Sequence, residues 1–361
     1  MKIGQTVVVQ AQDATTNPPA PESTGVMQVF FSEFEKLHQP TFELDQGNRL
    51  SYHEVAARTT AILKALDNKN FKLEKVDEIP LAAILAVHSR DYIEFLKSTA
   101  KLTDVVIPDV YYKDPNPIPM RKLAPKYAVG YYSLDDGAPI TPDTWKAVAY
   151  SASSAYAAAQ HVEGGEKVAY ALCRPPGHHA GAALCGGFCY LNNAAIAARY
   201  LTAKSKKVLL LDLDFHHGNG TQSITYNDPS IYYCSLHGDP DTHYPYFTGR
   251  PDERGTGAGE GFNLNVPLPT GTKGPAYKAA LLRALETVHK NFKPDYLIVS
   301  IGFDTLGHDP EGDFELTFDD LANNAEILAS LRLPTVVVQE GGYVLKNLGD
   351  AAVHFLSPFE H

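Results

Sequence analysis

The segment Asp212-Leu-Asp214-Phe-His216 alternates polar and apolar residues. Side chains two positions apart in a β-strand project to the same face, so the two carboxylates and the imidazole would lie side by side. Oxygen and nitrogen ligands of this kind suit zinc and similar divalent cations. Asp304 follows an apolar segment, where a buried carboxylate is costly unless it is paired or bound to a metal. We therefore expect two ligands from this segment and a third from Asp304, in a three-ligand site that keeps a fourth position open for water, as catalytic zinc sites do.

Other residues that can do chemistry also follow apolar segments. The segments and the groups after them are 168–173 with His178 and His179, 207–213 with Asp214 and His216, 231–236 with His237, 296–301 with Asp304, and 335–338 with Tyr343. Most of these segments are apolar on both faces, which is typical of buried parallel strands. A sixth apolar segment, at 81–87, is predicted as a strand for the same reason.

Helical patterns alternate with the predicted strands. They lie at 143–160, 192–202, 275–291 and 319–331, and Thr317 with Asp320 predicts a capping box before the last one. This alternation predicts an α/β chain with one doubly wound, mostly parallel sheet and helices on both faces. Because ligand sites of such sheets lie beyond the carboxyl ends of the strands, the polar groups should converge there.

The composition is that of a folded domain. At 44% hydrophobic residues and 20% charged residues, the chain of 361 residues is neither disordered, collagen-like nor a coiled coil. No apolar run reaches about 18 residues, so we expect no membrane span. With 31 basic and 42 acidic residues the net charge is −11, which disfavours nucleic acid as a partner. The four cysteines include no C-x-x-C pair and are predicted to be buried free thiols.

The beginning of the chain differs from the rest. Residues 13–25 are rich in Pro, Thr and Ser, and no secretory signal is evident. We expect residues 1–26 to form a flexible leader and residues 27–361 to form one domain, because no linker-like break in composition follows.

Six motifs resemble the arginase–deacetylase fold, and specifically zinc-dependent histone deacetylases and bacterial acetylpolyamine amidohydrolases. They are RPPGHHA at 174–180, GGFCYLNNAAIAA at 186–198, DLDFHHGNGTQ at 212–222, SLHGDP at 235–240, GFDT at 302–305 and EGGY at 340–343. The resemblance implies an enzyme that removes acetyl groups from acetylated polyamines or related small cationic amines. It also implies a cytoplasmic homodimer with one zinc ion per subunit and K⁺ or Na⁺ as structural ions.

The resemblance further implies a role for each site residue. The implied roles are zinc binding by Asp214, His216 and Asp304, proton transfer by His178 and His179, oxyanion stabilisation by Tyr343, hydrogen bonding of His178 by Asp212 and of His179 by Asn219, and binding of a monovalent cation by Asp212, Asp214, His216 and Ser235. Many histone deacetylases have Asp where this chain has Asn219. A neutral partner should stabilise the charged form of His179 less, which favours its use as a base.

Substrate-binding residues are implied in the same way. Gly187, Phe188 and Tyr244 would line a narrow acyl tunnel, Glu311 would face a substrate ammonium group, and Glu43 would join it. Segment 104–142 is similar to an amidohydrolase insertion that narrows the active site at a dimer interface. Its acidic residues include Asp135 and Asp136, and Gly137 stands where the bacterial type enzyme has glutamate.

Three alternatives remain open at this point. The first is a lysine deacetylase acting on peptides or proteins, or a hydrolase of other small acyl amides. The second is a metal-binding module without activity, which would have no need of the His178, His179 and Tyr343 set. The third is an arginase-like binuclear manganese ureohydrolase, which would require more bridging carboxylates than the motif offers.

Overall fold

The computed structural model describes residues 26–45, 47–110 and 123–360, so all but the last residue of the expected leader lies outside the described residues. The strands in the described part are β1 (Gln28–Phe31), β2 (Phe42–Asp45), β3 (Asn48–Ser51), β4 (Lys72–Lys75), β5 (Val168–Ala171), β6 (Val208–Asp212), β7 (Ile231–Gly238), β8 (Asn263–Leu268), β9 (Tyr296–Ile301) and β10 (Thr335–Gln339). Eight of these strands form one sheet in the order β4-β1-β5-β10-β9-β6-β7-β8. Every neighbouring pair in that sheet is parallel, which confirms the predicted fold class. Strands β2 and β3 form a separate antiparallel hairpin.

Helices connect and cover the strands. Over the described residues they are α1 (Ala57–Asn68), α2 (Leu81–Leu85), α3 (Arg90–Ser98), α4 (Pro125–Ala128), α5 (Thr144–Glu163), α6 (Asn193–Thr202), α7 (Asn219–Thr225), α8 (Gly274–Asn291), α9 (Phe318–Ala329) and α10 (Leu345–Leu356). Short 3₁₀ turns lie at Glu33–Leu37, Thr99–Lys101, Val129–Tyr131, Gly257–Gly259 and Ser357–Glu360.

The central strands are apolar on both faces because each face packs against helices. In β6, Leu209 and Leu211 belong to a core shared with α1, α8, α9 and α10. The alternate residues Val208 and Leu210 belong to a second core shared with α5 and α6. This division follows the strand period of two and places helices on both faces of the sheet.

Small side chains let α5 and α6 pack closely. Both helices contribute several buried alanines to the second core, such as Ala155, Ala159, Ala194 and Ala198. Alanine also has the highest intrinsic helix propensity, so the same residues favour the helices and their close contact.

The four predicted helices are confirmed by α5, α6, α8 and α9, and five of the six apolar segments are confirmed as strands. The capping box of α9 is also present: Thr317 Oγ1 accepts from the Asp320 N–H at 3.3 Å, and Asp320 Oδ2 accepts from the Thr317 N–H at 2.9 Å.

The strand predicted at 81–87 is wrong, because this segment contains helix α2. Ile84 and Val87 are buried, whereas Leu81 is 39% exposed, so burial does not extend over both faces. A spacing of three residues between buried positions is typical of a helix, and the alanines of this short segment favour that state.

Two remaining expectations concern membranes and thiols. No helix in the described ranges is both long enough and apolar enough to cross a membrane. Cys173, Cys185, Cys189 and Cys234 are buried free thiols, as predicted.

Candidate active site

Asp214, His216 and Asp304 come together beyond the carboxyl ends of β6 and β9. Their ligand atoms all lie within 4.8 Å of one another. His216 Nδ1 is 3.3 Å from Asp214 Oδ1 and 3.4 Å from Asp304 Oδ2. Strand β6 ends at Asp212, so Asp214 and His216 lie on a turn. In this turn the His216 N–H donates to Asp214 Oδ1 at 2.9 Å, which orients the two side chains. The prediction that the strand continues through His216 is therefore wrong.

This cluster fits a divalent cation. Asp304 Oδ2 is buried and accepts no hydrogen bond among the described residues. Burial and the neighbouring carboxylate of Asp214 raise the pKa of Asp304 to about 7, and a bound cation would offset both effects. Glycines leave room beside the carboxylates, because a Cβ at Gly302 would lie 2.0 Å from Asp214 Oδ2 and a Cβ at Gly341 would lie 2.2 Å from Asp304 Oδ2. Two carboxylates and an imidazole form a donor set that zinc accepts.

His178 and His179 lie on the loop that follows β5, and each ring has a different partner. His178 Nδ1 is 3.2 Å from Asp212 Oδ2, and His179 Nδ1 is 2.7 Å from Asn219 Oδ1. Burial opposes the charge of His178, but Asp214 and Asp212 outweigh it and raise the pKa of His178 to about 10. Burial and the neighbouring His178 instead hold the pKa of His179 well below its ordinary value. These opposite shifts favour the charged form of His178 and the neutral form of His179, which can accept a proton.

The loop after β10 carries Tyr343 into the same site. Its backbone N–H donates to Asp309 Oδ2 at 2.8 Å, and the Arg58 guanidinium carbon lies 4.8 Å from the centre of its ring. Arg58 Nε also donates to the carbonyl of Gly342 at 2.7 Å, and Gly342 adopts a φ of 111° that favours glycine. Burial raises the pKa of Tyr343 well above 10, so its hydroxyl keeps the proton it needs as a hydrogen-bond donor.

A cavity of about 470 Å³ connects these groups. The predicted site residues on its walls are Glu43, His178, His179, Gly187, Phe188, His216, Asn219, Tyr244, Glu311 and Tyr343. The other four predicted residues, Asp212, Asp214, Ser235 and Asp304, are fully buried and are not among the lining residues.

Aromatic rings narrow the cavity near the histidines. Tyr244 stands edge-on to His179 with 4.9 Å between ring centres, and Phe188 stands edge-on to Tyr343 at 5.7 Å. A Cβ at Gly187 would lie 2.6 Å from the His179 ring, so glycine is required where the wall approaches it. The resulting passage suits an extended, unbranched chain better than a bulky group.

Three ionisable side chains lie together on another part of the cavity wall. His53 Nδ1 is 3.3 Å from Glu43 Oε1 and forms a short hydrogen bond with Glu311 Oε1. The side chain of Glu43 is 5% exposed, that of Glu311 is 27% exposed and that of His53 is 32% exposed. We call Glu43, His53 and Glu311 the mouth cluster.

Two of the residues predicted for a monovalent cation, Asp214 and His216, belong to the metal cluster, and the other two lie on the neighbouring strands β6 and β7. Ser235 of β7 is the register partner of Asp212 of β6, and Ser235 Oγ is 2.7 Å from His237 Nδ1. The monovalent-ion site stays a prediction.

The predicted insertion at 104–142 contributes to the cavity through its described part. Leu134, Asp135, Asp136 and Gly137 line the cavity, and Tyr244 donates a short hydrogen bond to Asp135 Oδ2. Residues 111–122 of this segment lie outside the described residues. The expected dimer interface stays a prediction.

Several polar residues that organise the site were not found from the sequence. Buried Glu340 accepts hydrogen bonds from the N–H groups of Gly177 and His178, at 2.7 and 3.2 Å, and so holds the histidine loop. Arg58 and Asp309 hold the tyrosine loop, and His53 joins two predicted carboxylates. The position of Glu340 directly after β10 is a signal that was available, whereas His53 and Arg58 have no spacing pattern that connects them to the site.

Comparisons with known proteins agree with this architecture. Residues 52–358 match the histone deacetylase domain. An acetylpolyamine amidohydrolase of Burkholderia pseudomallei is 38% identical over 342 residues, which are 92% of this chain and 98% of that protein. Acetylpolyamine amidohydrolase 1 of Pseudomonas aeruginosa is also 38% identical, over 91% of this chain and 98% of its own. A crystal structure of acetylpolyamine aminohydrolase from Burkholderia pseudomallei superimposes with a TM-score of 0.88 at 38% identity, covering 92% of this chain and 98% of that one.

Proposed function

The chain belongs to the histone deacetylase domain family, whose members hydrolyse amide bonds, and we propose that it removes acetyl groups from acetylated polyamines or related small cationic amines. The observation that carries the substrate class is the position of Glu43 and Glu311 on the wall of a narrow cavity. Carboxylates at such a position attract an ammonium group and repel an anionic one. Relatives named acetylpolyamine amidohydrolases support the same substrate class.

Asp214, His216 and Asp304 would hold a zinc ion, one in each subunit. When bound, zinc polarises the acyl oxygen and lowers the pKa of water toward about 7. Asp304 Oδ2 is buried and accepts no hydrogen bond from the described residues, and this and the proximity of the three ligand atoms support the assignment.

His179 is the proposed base of the reaction. An amide oxygen can only accept a hydrogen bond, so the contact with Asn219 Oδ1 places the proton of the neutral ring on Nδ1 and leaves Nε2 to accept one. Nε2 takes a proton from the attacking water and later delivers it to the leaving amine nitrogen. His178, paired with Asp212, contributes positive charge next to the reacting groups and can serve as a second proton carrier.

Tyr343 is the proposed donor to the oxyanion. The carbonyl oxygen becomes negatively charged as water attacks, and a preorganised hydroxyl stabilises that charge without reorienting. Arg58 and Asp309 fix the loop that carries Tyr343, which supports this role. Gly187, Phe188 and Tyr244 would enclose the acyl chain and exclude bulk water.

A direct comparison of substrates tests the proposed function. Zinc-loaded enzyme is assayed with acetylputrescine, acetylcadaverine, acetylspermidine and an acetyl-lysine peptide. We expect the highest kcat/KM for one of the acetylated polyamines. A strong preference for the peptide would replace the proposal with the lysine deacetylase alternative.

A variant pair checks the part played by Glu311. Glu311→Gln should lower kcat/KM for the cationic substrate about tenfold, since a charged contact contributes about 1.5 kcal/mol. Glu315→Gln is the matched control, because Glu315 is on the same loop, does not line the cavity and pairs with Lys273 at 3.1 Å. Equal effects of the two substitutions would remove Glu311 from substrate binding.

The remaining parts of the proposal rest on the composition of the sequence and on the family resemblance. They are a single catalytic domain at 27–361 behind a leader at 1–26, a cytoplasmic location, a homodimer in which segment 104–142 forms an interface, and a K⁺ or Na⁺ ion held near Asp212, Asp214, His216 and Ser235. The acidic net charge of −11 fits a small cationic substrate better than nucleic acid.

A further inference from the structure

His53 is the member of the mouth cluster that the proposed function does not use. It lies just before α1, between Glu43 of the β2–β3 hairpin and Glu311 of the loop after β9, and all three side chains line the cavity. Its Nδ1 contacts a carboxylate oxygen of each glutamate. Glu311 is 258 residues from His53 in the chain, so the folded structure alone completes the cluster.

The charge of His53 decides the charge of the cluster. Two glutamates carry −2, and a protonated His53 reduces this to −1. The hydrogen bond that His53 Nδ1 donates to Glu311 and the charges of Glu311, Glu43 and Asp309 raise the pKa of His53 above its ordinary value, while burial opposes them. Tyr343 is a further ionisable neighbour, with its ring centre 6.5 Å from that of His53. His53 therefore keeps its positive charge to a higher pH than an isolated histidine and loses it as the pH rises through the raised pKa.

We propose that the His53 imidazolium is an internal substitute for the ammonium group of the substrate and thereby determines the selectivity for cationic substrates. In the empty cavity it is the counter-ion of Glu43 and Glu311. A cationic acetylated amine must share or displace this counter-ion, whereas an uncharged amide of the same length has no such competition. The inference rests on the proposed function, which assigns the two carboxylates to the substrate.

A difference between cationic and uncharged substrates follows from this competition. When His53 is protonated, an incoming ammonium group meets a cluster with only one net negative charge and a cation already in contact. When His53 is neutral, both carboxylates are available to the ammonium group. An alkylammonium resembles the lysine side chain and stays protonated up to about pH 10. Selectivity for the cation should therefore rise with pH while the substrate charge stays constant.

The experiment measures kcat/KM of the zinc-loaded full chain for N-acetylputrescine and for N-pentylacetamide, in which a methyl group replaces the ammonium group. Both substrates are hydrolysed by the same catalytic groups, so pH effects on the hydrolysis step cancel in the ratio of the two kcat/KM values. We expect the ratio to increase about fivefold between about pH 6 and about pH 9, the size expected for one partly exposed charge pair. A ratio that is constant or falls with pH in the unmodified enzyme overturns the inference, and this result needs no variant to fold.

Two substitutions with opposite charge behaviour give a second readout. His53→Gln is uncharged at every pH, so its ratio should be high and independent of pH. His53→Lys is charged across the range, so its ratio should be low and independent of pH. His243→Gln is the matched control, since His243 pairs with Asp313 at 3.1 Å and does not line the cavity, and it should keep the pH dependence of the unmodified enzyme. A pH-dependent ratio that survives in His53→Gln assigns the effect to another group and overturns the inference.

The substrate assay separates the failure of this inference from the failure of the proposed function. If the acetyl-lysine peptide is strongly preferred over every acetylated polyamine, the proposed function fails. If an acetylated polyamine is preferred but its ratio to N-pentylacetamide does not change with pH, only the role of His53 fails.

Discussion

At the scale of single residues, Tyr343 is the group that separates catalysis from metal binding. Its hydroxyl is proposed to contact the reacting oxygen, yet Tyr343 is not one of the three clustered ligand residues. The backbone contact with Asp309 and the approach of Arg58 hold the loop independently of the hydroxyl. Removing the hydroxyl should therefore leave the loop and the metal cluster intact.

We predict that Tyr343→Phe lowers kcat about 10²- to 10³-fold, which is the usual cost of losing one oxyanion donor. Zinc content, measured by elemental analysis, should not change. Tyr127→Phe is a suitable control because Tyr127 is 71% exposed and does not line the cavity. Unchanged turnover in Tyr343→Phe with zinc bound would exclude the oxyanion role.

At the scale of secondary structure, the carboxyl ends of the strands position the site residues, and the capping box of α9 stabilises the beginning of that helix. Buried strands were predictable because apolar residues on both faces leave a strong pattern, as in β6 and β10. The edge strand β4, Lys72–Lys75, has no such pattern because three of its four residues are exposed. The strand predicted at 81–87 is wrong because a short apolar segment has the same pattern in a buried strand and in a buried helix.

The capping box of α9 provides a test at this scale. Thr317→Ala should lower the free energy of unfolding by about 1 kcal/mol, because the N–H of Asp320 loses its acceptor. Urea denaturation measures this loss, and kcat should stay unchanged because α9 does not line the cavity. Thr287→Ala inside α8, where Oγ1 donates to the Arg283 carbonyl, is the control, and an equal loss there would contradict the capping role.

At the scale of the whole molecule, the metal cluster joins the ends of the neighbouring strands β6 and β9, which are far apart in the chain. Asp214 and His216 follow β6, Asp304 follows β9, and the N–H of Gly341 after β10 donates to Asp214 Oδ2 at 2.8 Å. A ligand that binds only the folded state stabilises the fold. A metal at this point should therefore stabilise the neighbouring strand ends together.

We predict that zinc raises the Tm of the metal-free protein and that Asp304→Ala abolishes both zinc binding and this increase. Elemental analysis and thermal unfolding with and without zinc measure the two effects. Asp313→Ala is the matched control, because Asp313 lies nearby on the same loop with its side chain 61% exposed. Full zinc occupancy in Asp304→Ala would contradict the ligand assignment.

The sequence by itself determined the parallel sheet, most of its central strands and the groups that follow them. This was possible because strands buried on both faces and short motifs such as 212–216 leave local patterns that can be recognised in consecutive residues. Only the tertiary structure decided that His53 stands between Glu43 and Glu311 and that Arg58 reaches the Tyr343 loop. His53 and Glu311 are 258 residues apart, and no periodicity connects them. Contacts of this kind depend on the paths of the loops, so the sequence predicted the metal cluster, while the fold decided how charge is arranged on the wall of the cavity.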